Sequence, residues 1–258
     1  MSDIDFTALR ATRATQPGAI AQALASRSRR DIVSGDGRLM IVAADHPARA
    51  AMGVGSEAMA MANREVLLER LAGALENPGV DGVLATPDII DDLALLGALN
   101  NKIVVGSMNR GGLRGASFEM DDRFGAYSID SIARAGLDFA KTLTRINLQD
   151  AGTADTLIAT AEAVNDAVAA EIPIMLEPFL SEWVDGKVTN ILTADAVIHS
   201  IAIAGALGGS PRPTVQSWGA VDGRGMSSYH HFWHAQPPHL AQGPSFPAGF
   251  RDSYWFLN

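Results

Sequence analysis

Three ionisable side chains lie within, at the end of, or directly after three strand-like segments of the sequence. Lys141 lies inside an apolar run, Asp45 directly follows another, and Glu177 closes a third. Lysine occurs only three times in the 258 residues, so a lysine inside an apolar strand is a conspicuous feature of this chain. A buried ammonium needs a charged partner or a depressed pKa. Both conditions are common in sites that handle carbonyl compounds.

Strand parity predicts that these side chains share one face of a sheet. Residues two apart in a strand point to the same side, so Lys141 and Arg145 lie together, as do Met175 and Glu177. If this face is the inside of a parallel barrel, they converge with Asp45 at the carboxyl-terminal mouth, where barrel active sites lie. Alternatively, Asp45, Arg145 and Glu177 are ordinary polar groups at strand ends. The position of Lys141 deeper in its strand favours the catalytic interpretation.

Other polar residues near these strand ends are candidates for substrate binding. The segment Gly106–Gly115 has glycines and two arginines, which suits an anionic substrate, although it lacks a phosphate-loop signature. The histidine after Asp45 could also act as an acid or base, or be a loop residue. The candidates for substrate binding are His46, Ser107, Arg110 and Arg145.

Four late histidines are close enough in sequence to raise the question of a metal site. No predicted helix presents them, and no acidic ligand lies beside them, so we expect neither a metal nor another cofactor. They are His230, His231, His234 and His239.

Composition excludes several classes of protein. The chain is 47% hydrophobic and 19% charged, as in ordinary globular domains. Its net charge of −9 disfavours nucleic acid as a partner. It contains no cysteine, which excludes disulfides and thiolate metal sites. The acidic amino terminus does not resemble a signal peptide and no apolar run reaches membrane-helix length, so we expect a cytoplasmic protein with no membrane partner.

The order of elements predicts parallel βαβ units. Residues 1–37 are expected to form one or two helices that cover the bottom of the sheet, with Arg27–Arg30 on a solvated face. The predicted strands are Leu39–Ala44, Gly82–Ala85, Lys102–Gly106, Phe139–Ile146 and Ile172–Glu177, and the predicted helices are Ala62–Leu75, Ile89–Leu99, Thr153–Ala170 and Thr193–Gly205.

Three of these segments resemble strands of class I, Schiff-base aldolases, notably the deoxyribose-phosphate and tagatose-bisphosphate aldolase group. They are Ile41–Arg49, Lys141–Arg145 and Met175–Ser181. A closer resemblance is to an actinobacterial subfamily that accompanies inositol catabolism. The resemblance covers about residues 1–209. It implies an α/β fold of the (β/α)₈ TIM barrel type and a lyase that cleaves a phosphorylated keto-sugar, with 5-dehydro-2-deoxyphosphogluconate as a candidate substrate.

The resemblance also implies a role for each catalytic candidate. Asp45 would hydrogen-bond the substrate or the carbinolamine, and Glu177 would move protons during imine formation. Lys141 would be a supporting lysine, because a second ammonium lowers the pKa of a neighbouring imine-forming lysine.

The chain departs from the family pattern after about residue 209. The expected sixth strand reads Thr214–Trp218 and contains no lysine, and no lysine follows Lys187. We therefore interpret residues 1–209 as an aldolase-type barrel portion and residues 210–258 as an atypical tail with an out-of-frame or otherwise altered origin. An incomplete barrel leaves open sheet edges, so we expect poor stability or self-association into a homo-oligomer.

Two functions remain open. The first is a class I aldolase-like lyase that acts on a small sugar phosphate through a lysine imine. The second is a catalytically inactive barrel relative that binds a sugar phosphate or a protein partner. A metal-dependent aldolase is a minor third alternative.

Overall fold

Five consecutive parallel strands form the centre of the molecule. A computed structural model describes residues 4–32, 39–109, 112–208 and 254–257. The strands lie side by side in chain order, and they are β1 (Leu39–Ala44), β2 (Gly82–Ala85), β3 (Ile103–Ser107), β4 (Phe139–Ile146) and β5 (Ile174–Val184). Two short antiparallel strands flank them: β6 (Lys187–Asn190) pairs with the end of β5, and β7 (Tyr254–Leu257) pairs with β1.

Helices connect the parallel strands in the predicted βαβ order. The described helices are α1 (Phe6–Thr15), α2 (Gly18–Ser26), α3 (Arg64–Glu76), α4 (Pro87–Leu95), α5 (Ile129–Ala135), α6 (Gly152–Ala169) and α7 (Ala194–Ala204), with a 3-10 helix over His46–Arg49. All five predicted strands and all four predicted connecting helices are present. The short helix α5 was not predicted. No helix in the described part of the chain is long and apolar enough to cross a bilayer.

The strands β1–β4 are buried on both faces, as expected for this type of sheet. One face packs against the helices through residues such as Val42, Val83, Val104 and Leu176. The opposite face forms a separate apolar cluster that contains Leu39, Ile41, Ala43, Leu84, Ile103, Val105, Phe139 and Met175. This second cluster has the parity of the ionisable residues Asp45, Lys141 and Glu177, so the predicted face is confirmed.

The sheet is strongly curled. In a flat sheet, β1 and β4 would lie about 14 Å apart, at three strand spacings, which is too far for two side chains to meet. Nevertheless, Asp45 Oδ2 at the end of β1 lies 2.9 Å from Lys141 Nζ on β4. Among the described strands the sheet remains open between β6 and β7. The parallel α/β arrangement is confirmed for β1–β5, whereas a complete eight-stranded barrel is not seen there, and the predicted sixth strand lies outside the described residues.

A hairpin lengthens β5 beyond its predicted end. The strand continues to Val184, turns at Asp185 and Gly186, and returns as β6. Both turn residues have positive φ, 48° and 72°, as a two-residue type I′ hairpin requires. An Asp-Gly pair between strand-like residues is a strong hairpin signal. The sequence therefore contained the information for β6, although this element was not predicted.

The basic segment after α2 is only partly a solvated face, because Ser28 and Arg29 are exposed whereas Arg27 is buried. Arg27 is only 8% exposed, and its Nη2 lies 2.8 Å from Asp138 Oδ2, next to the start of β4. Arg29 pairs with the other oxygen of Asp138 at 2.7 Å, and Arg30 pairs with Asp81 beside β2. The prediction was wrong for Arg27 because the partner carboxylate lies 111 residues further along the chain. These ion pairs hold the amino-terminal segment against the bottom of the sheet, where a cover was predicted.

Candidate active site

A buried cluster of charges lies at the carboxyl ends of the strands. Lys141 Nζ is 2.9 Å from Asp45 Oδ2 and 2.5 Å from Glu177 Oε2. The three residues are only 3–4% exposed. Ser107, at the end of β3, donates a hydrogen bond from Oγ to the same Asp45 oxygen at 2.9 Å. The structure thus brings together four of the residues singled out from the sequence.

Strand register explains this convergence. Ser107 lies opposite Lys141 in the β3–β4 pair, and Glu177 lies opposite Leu143, two residues beyond the lysine, in the β4–β5 pair. Ala44 is level with Ala140 through the pairings of β1–β4, so Asp45 lies at the same level as Lys141, and only Glu177 lies further along the strands. The long side chain of Lys141 reaches across the curled sheet to Asp45.

Electrostatics keep this cluster charged despite its burial. Burial alone would raise the pKa of Asp45, but the charges of Lys141, His46 and Arg49 together outweigh it and hold that pKa well below its usual range. Burial would likewise lower the pKa of Lys141, but Asp45 and Glu177 outweigh it and raise that pKa. At neutral pH the lysine is therefore an ammonium ion, and it must lose a proton before it can act as a nucleophile.

His46 begins the 3-10 helix that follows β1. Its Nδ1 lies 3.7 Å from Asp45 Oδ1. Burial lowers the pKa of His46 below its ordinary value, even though the charge of Asp45 acts in the opposite direction. The imidazole is therefore neutral at pH 7, and it lies beside the buried ion pairs as a group able to exchange protons.

Arg145 belongs to a different cluster. Its guanidinium contacts Asp122 through Nη2, at 2.9 Å from Oδ1, and Glu119 through Nη1, at 3.3 Å from Oε1. Burial would lower the pKa of Arg145, but hydrogen bonds and charge attraction from these two carboxylates raise it. The arginine fixes the loop between β3 and α5 and does not contact the Lys141 cluster. Arg110, in the same loop, lies outside the described residues.

Two further residues were not identified from the sequence. Asn109 follows β3 and bonds the backbone of Leu143 in β4, accepting from its N–H at 2.5 Å and donating to its C=O at 2.8 Å. Arg49 ends the 3-10 helix after β1 and places a positive charge near Asp45 and Lys141. No pattern in the sequence distinguished Arg49 from the other arginines of the chain.

The described residues contain no cluster of three or more histidine and acidic side chains arranged to hold a metal ion. The late histidines His230, His231, His234 and His239 lie outside the described residues.

A solved structure resembles this chain closely. The crystal structure of Cgl0159 from Corynebacterium glutamicum is 62% identical, with a TM-score of 0.80 over 82% of this chain and 72% of that one. Two aldolase structures are far more distant from this chain. An archaeal fructose 1,6-bisphosphate aldolase is 19% identical, with a TM-score of 0.45 over 73% of this chain and 67% of that one. A Schiff-base-forming fructose-1,6-bisphosphate aldolase is also 19% identical, with a TM-score of 0.43 over 73% of this chain and 68% of that one.

A search of curated proteins found no match. The profile of the Cgl0159-like family matches residues 37–222, which include β1–β5 and the whole Lys141 cluster. On this match and the 62% identity to Cgl0159, the chain belongs to the Cgl0159-like family.

Proposed function

We propose that this chain is a class I aldolase-like lyase that makes or breaks a carbon–carbon bond beside a carbonyl through an imine on Lys141. The supporting observation is the burial of this lysine between Asp45 and Glu177 at the carboxyl ends of parallel strands. The substrate class is a phosphorylated keto-sugar. The sequence resemblance adds 5-dehydro-2-deoxyphosphogluconate as the specific candidate.

The positions of the other lysines support our placing the imine on Lys141 itself. Lys102 precedes β3 at the opposite end of the sheet, and its Nζ donates to the backbone oxygens of Asn77 and Val80. Lys187 is exposed on the hairpin. The chain has no fourth lysine. This assignment replaces the supporting role that the resemblance alone implied for Lys141.

Glu177 is the group best placed to take the proton from the ammonium. Its Oε2 lies 2.5 Å from Lys141 Nζ, whereas the lowered pKa of Asp45 makes that carboxylate a poor proton acceptor. The neutral amine then adds to the substrate carbonyl carbon. The carbinolamine oxygen receives a proton and leaves as water, which produces an iminium ion.

The two carboxylates that stabilise the ammonium also stabilise the iminium, because both cations place a positive charge on the same nitrogen. When a base removes the proton of the substrate hydroxyl, the carbon–carbon bond breaks and its electron pair moves to the iminium. An aldehyde leaves, and an enamine remains on the lysine. Protonation of the enamine and hydrolysis of the resulting iminium release the second product and restore the amine.

Borohydride trapping tests this proposal. Incubation with dihydroxyacetone phosphate and borohydride, followed by peptide mass spectrometry, should yield a reduced adduct on Lys141. The adduct should disappear in Lys141→Arg and persist in the control Lys187→Arg, whose side chain is exposed. An adduct only on another residue would contradict the assignment.

The raised pKa of Lys141 favours a second candidate function, in which the chain binds a sugar phosphate without turning it over. A lysine held as an ammonium ion by two carboxylates is stable but unreactive. This function predicts measurable binding of dihydroxyacetone phosphate together with no trapped adduct and no release of an aldehyde.

A further inference from the structure

Arg49 has a buried guanidinium nitrogen that the described structure leaves without a partner. Its Nε is shielded from solvent and makes no hydrogen bond there, although the residue as a whole is partly exposed. Buried polar groups in proteins nearly always have partners, and each exception calls for an explanation. A partly exposed arginine with an unused buried donor is an arrangement that suits a ligand.

Other arginines with buried guanidinium groups in the described residues are held by carboxylates. Arg27 pairs with Asp138 through Nη2, although its Nε also has no partner in the described structure. Arg145 pairs with Asp122 and Glu119. Arg49 has no such carboxylate among the ion pairs of the described residues. The difference is consistent with a guanidinium reserved for an anion that comes from outside the chain.

The backbone around Arg49 is fixed on both sides. The residue ends the 3-10 helix that follows β1, and the next residue, Ala50, closes the turn in the left-handed conformation with φ 59°. The Arg49 carbonyl accepts a hydrogen bond at 3.0 Å from the backbone N–H of Arg114, in the loop after β3. The guanidinium therefore extends from an ordered turn at the mouth of the sheet.

The charge of Arg49 acts on the Lys141 cluster. It adds to the forces that favour the carboxylate form of Asp45, and it opposes protonation of both His46 and Lys141. The guanidinium therefore acts electrostatically on the groups assigned to the chemistry, yet among the ion pairs of the described residues it has none with Asp45 or Glu177.

We propose that Arg49 binds the oxyanion of the substrate, a phosphate monoester or a carboxylate, and so positions the carbonyl carbon at Lys141. The planar guanidinium presents several N–H donors in a fixed geometry that suits both kinds of oxyanion. This inference rests on the proposed function, because it assigns a role in the same site. It adds a specificity-determining residue to the three assigned to the chemistry.

Trapping with three carbonyl compounds tests the proposal and identifies the oxyanion. Dihydroxyacetone phosphate carries a phosphate, pyruvate carries a carboxylate, and dihydroxyacetone is neutral. In Arg49→Gln, the concentration that gives half-maximal trapping should rise at least about tenfold for the preferred anionic compound. It should change little for dihydroxyacetone. Arg49→Lys should give an intermediate value, because it keeps the charge and loses the planar fork.

The exposed Arg70 on α3 provides the matched control, since Arg70→Gln makes the same change of net charge without touching the site. Equal losses for neutral and anionic compounds in Arg49→Gln would overturn the proposal. So would unchanged trapping of both anionic compounds.

Direct binding separates this inference from the proposed function. Calorimetric titration with inorganic phosphate and with pyruvate requires no imine. If the wild type binds either anion and Arg49→Gln does not, the inference holds even when no adduct is trapped. Equal binding by both proteins, or no binding by the wild type, would refute it. Thermal unfolding of each variant verifies that the fold is retained.

Discussion

At the scale of single residues, Glu177 and Asp45 differ in what they can do for Lys141. Both contact its Nζ, but the lowered pKa of Asp45 suits a permanent counterion, whereas Glu177 is assigned to proton transfer. Glu177→Gln should therefore lower the rate of adduct trapping by about 100-fold at pH 7. Glu182→Gln, an exposed change on the same strand, is the control. Trapping at the wild-type rate in Glu177→Gln would show that another group takes the proton.

Removal of Lys141 should be costly for stability. The substitution Lys141→Met leaves two carboxylates buried without their cation, and breaking a buried pair in this way costs about 3–5 kcal/mol. Urea unfolding measures the change. The additional substitution Asp45→Asn should recover part of the loss, because it removes one of the uncompensated charges. Lys187→Met, at an exposed position, should change stability by no more than about 0.5 kcal/mol.

The residues of the Lys141 cluster could be predicted because strand parity is a local property of the sequence. Asp45, Lys141 and Glu177 each follow from the alternation within one strand. The assignment of Arg145 to substrate binding could not be tested by parity, since its partners Asp122 and Glu119 lie in an irregular loop. Arg49 was missed for a related reason: what distinguishes it is a missing contact, which only three-dimensional structure reveals.

At the scale of elements, the ion pairs of Arg145 hold the loop between β3 and α5. Gly112 lies against the side chains of Arg145 and Asp122. Gly112 has φ 63°, and a Cβ there would come within 1.8 Å of Arg145 Nη2 and 2.1 Å of Asp122 Oδ1. Gly112→Ala should therefore destabilise the protein through both conformation and contact. Gly115→Ala is the matched control, because Gly115 has φ 82° with open space around it.

The control should lose only about 1–2 kcal/mol, the usual cost of a left-handed alanine. Gly112→Ala should lose clearly more in the same urea titration. Equal losses in the two variants would mean that the loop accommodates the methyl group without disturbing Arg145.

Elements with strong periodic patterns were predicted well, and short or irregular ones were not. The strands β1–β3 are dense in Val, Ile, Leu and Ala, β4 and β5 begin as mainly apolar runs, and the helices α3, α4, α6 and α7 have regular apolar spacing. Helix α5 has only seven residues, too few for a reliable periodic signal. The β5–β6 hairpin was missed although Asp185 and Gly186 form a recognisable turn.

At the scale of the whole molecule, the Lys141 cluster gives stability a defined pH dependence. Asp45 has a lower pKa in the folded state, so its contribution is present above the unfolded value of about 3.9 and is lost as the pH falls further. Lys141 has a raised pKa, so its contribution is present below about 10.4 and is lost as the pH rises through the folded value. Between these limits the cluster contributes its full stabilisation.

Urea unfolding at a series of pH values from 3 to 7 tests the acid side of this dependence. The wild type should lose stability steeply below about pH 4, and Asp45→Asn should show a shallower slope there. Asp155→Asn, which changes an exposed carboxylate on α6, should retain the wild-type slope. Parallel slopes in all three proteins would indicate that Asp45 titrates normally.

The open edges of the described sheet support our proposal that the protein forms a homo-oligomer. An unpaired edge such as that of β6 offers backbone groups to another chain. Sedimentation of the purified chain should show a species larger than a monomer. A monomer with a single cooperative thermal transition would contradict both the proposed oligomer and the predicted poor stability.

The origin of residues 210–258 is a further proposal at this scale. Of these, only the strand β7 is described, and the family match runs to residue 222, past the predicted boundary at residue 209. We keep the out-of-frame origin of this tail as a proposal. Resequencing of the gene would contradict it if an intact frame were found and close relatives shared the tail.

The contact between Asp45 and Lys141 also bears on how the protein folds. The two residues are 96 positions apart, so their meeting closes a long loop and requires β1–β4 to be in register. Contacts of such sequence separation form slowly, and we expect this one to be absent from the folding transition state. Substitutions at Lys141 should then speed unfolding and leave the folding rate nearly unchanged. The proposed imine chemistry would then become possible only after the folding transition state.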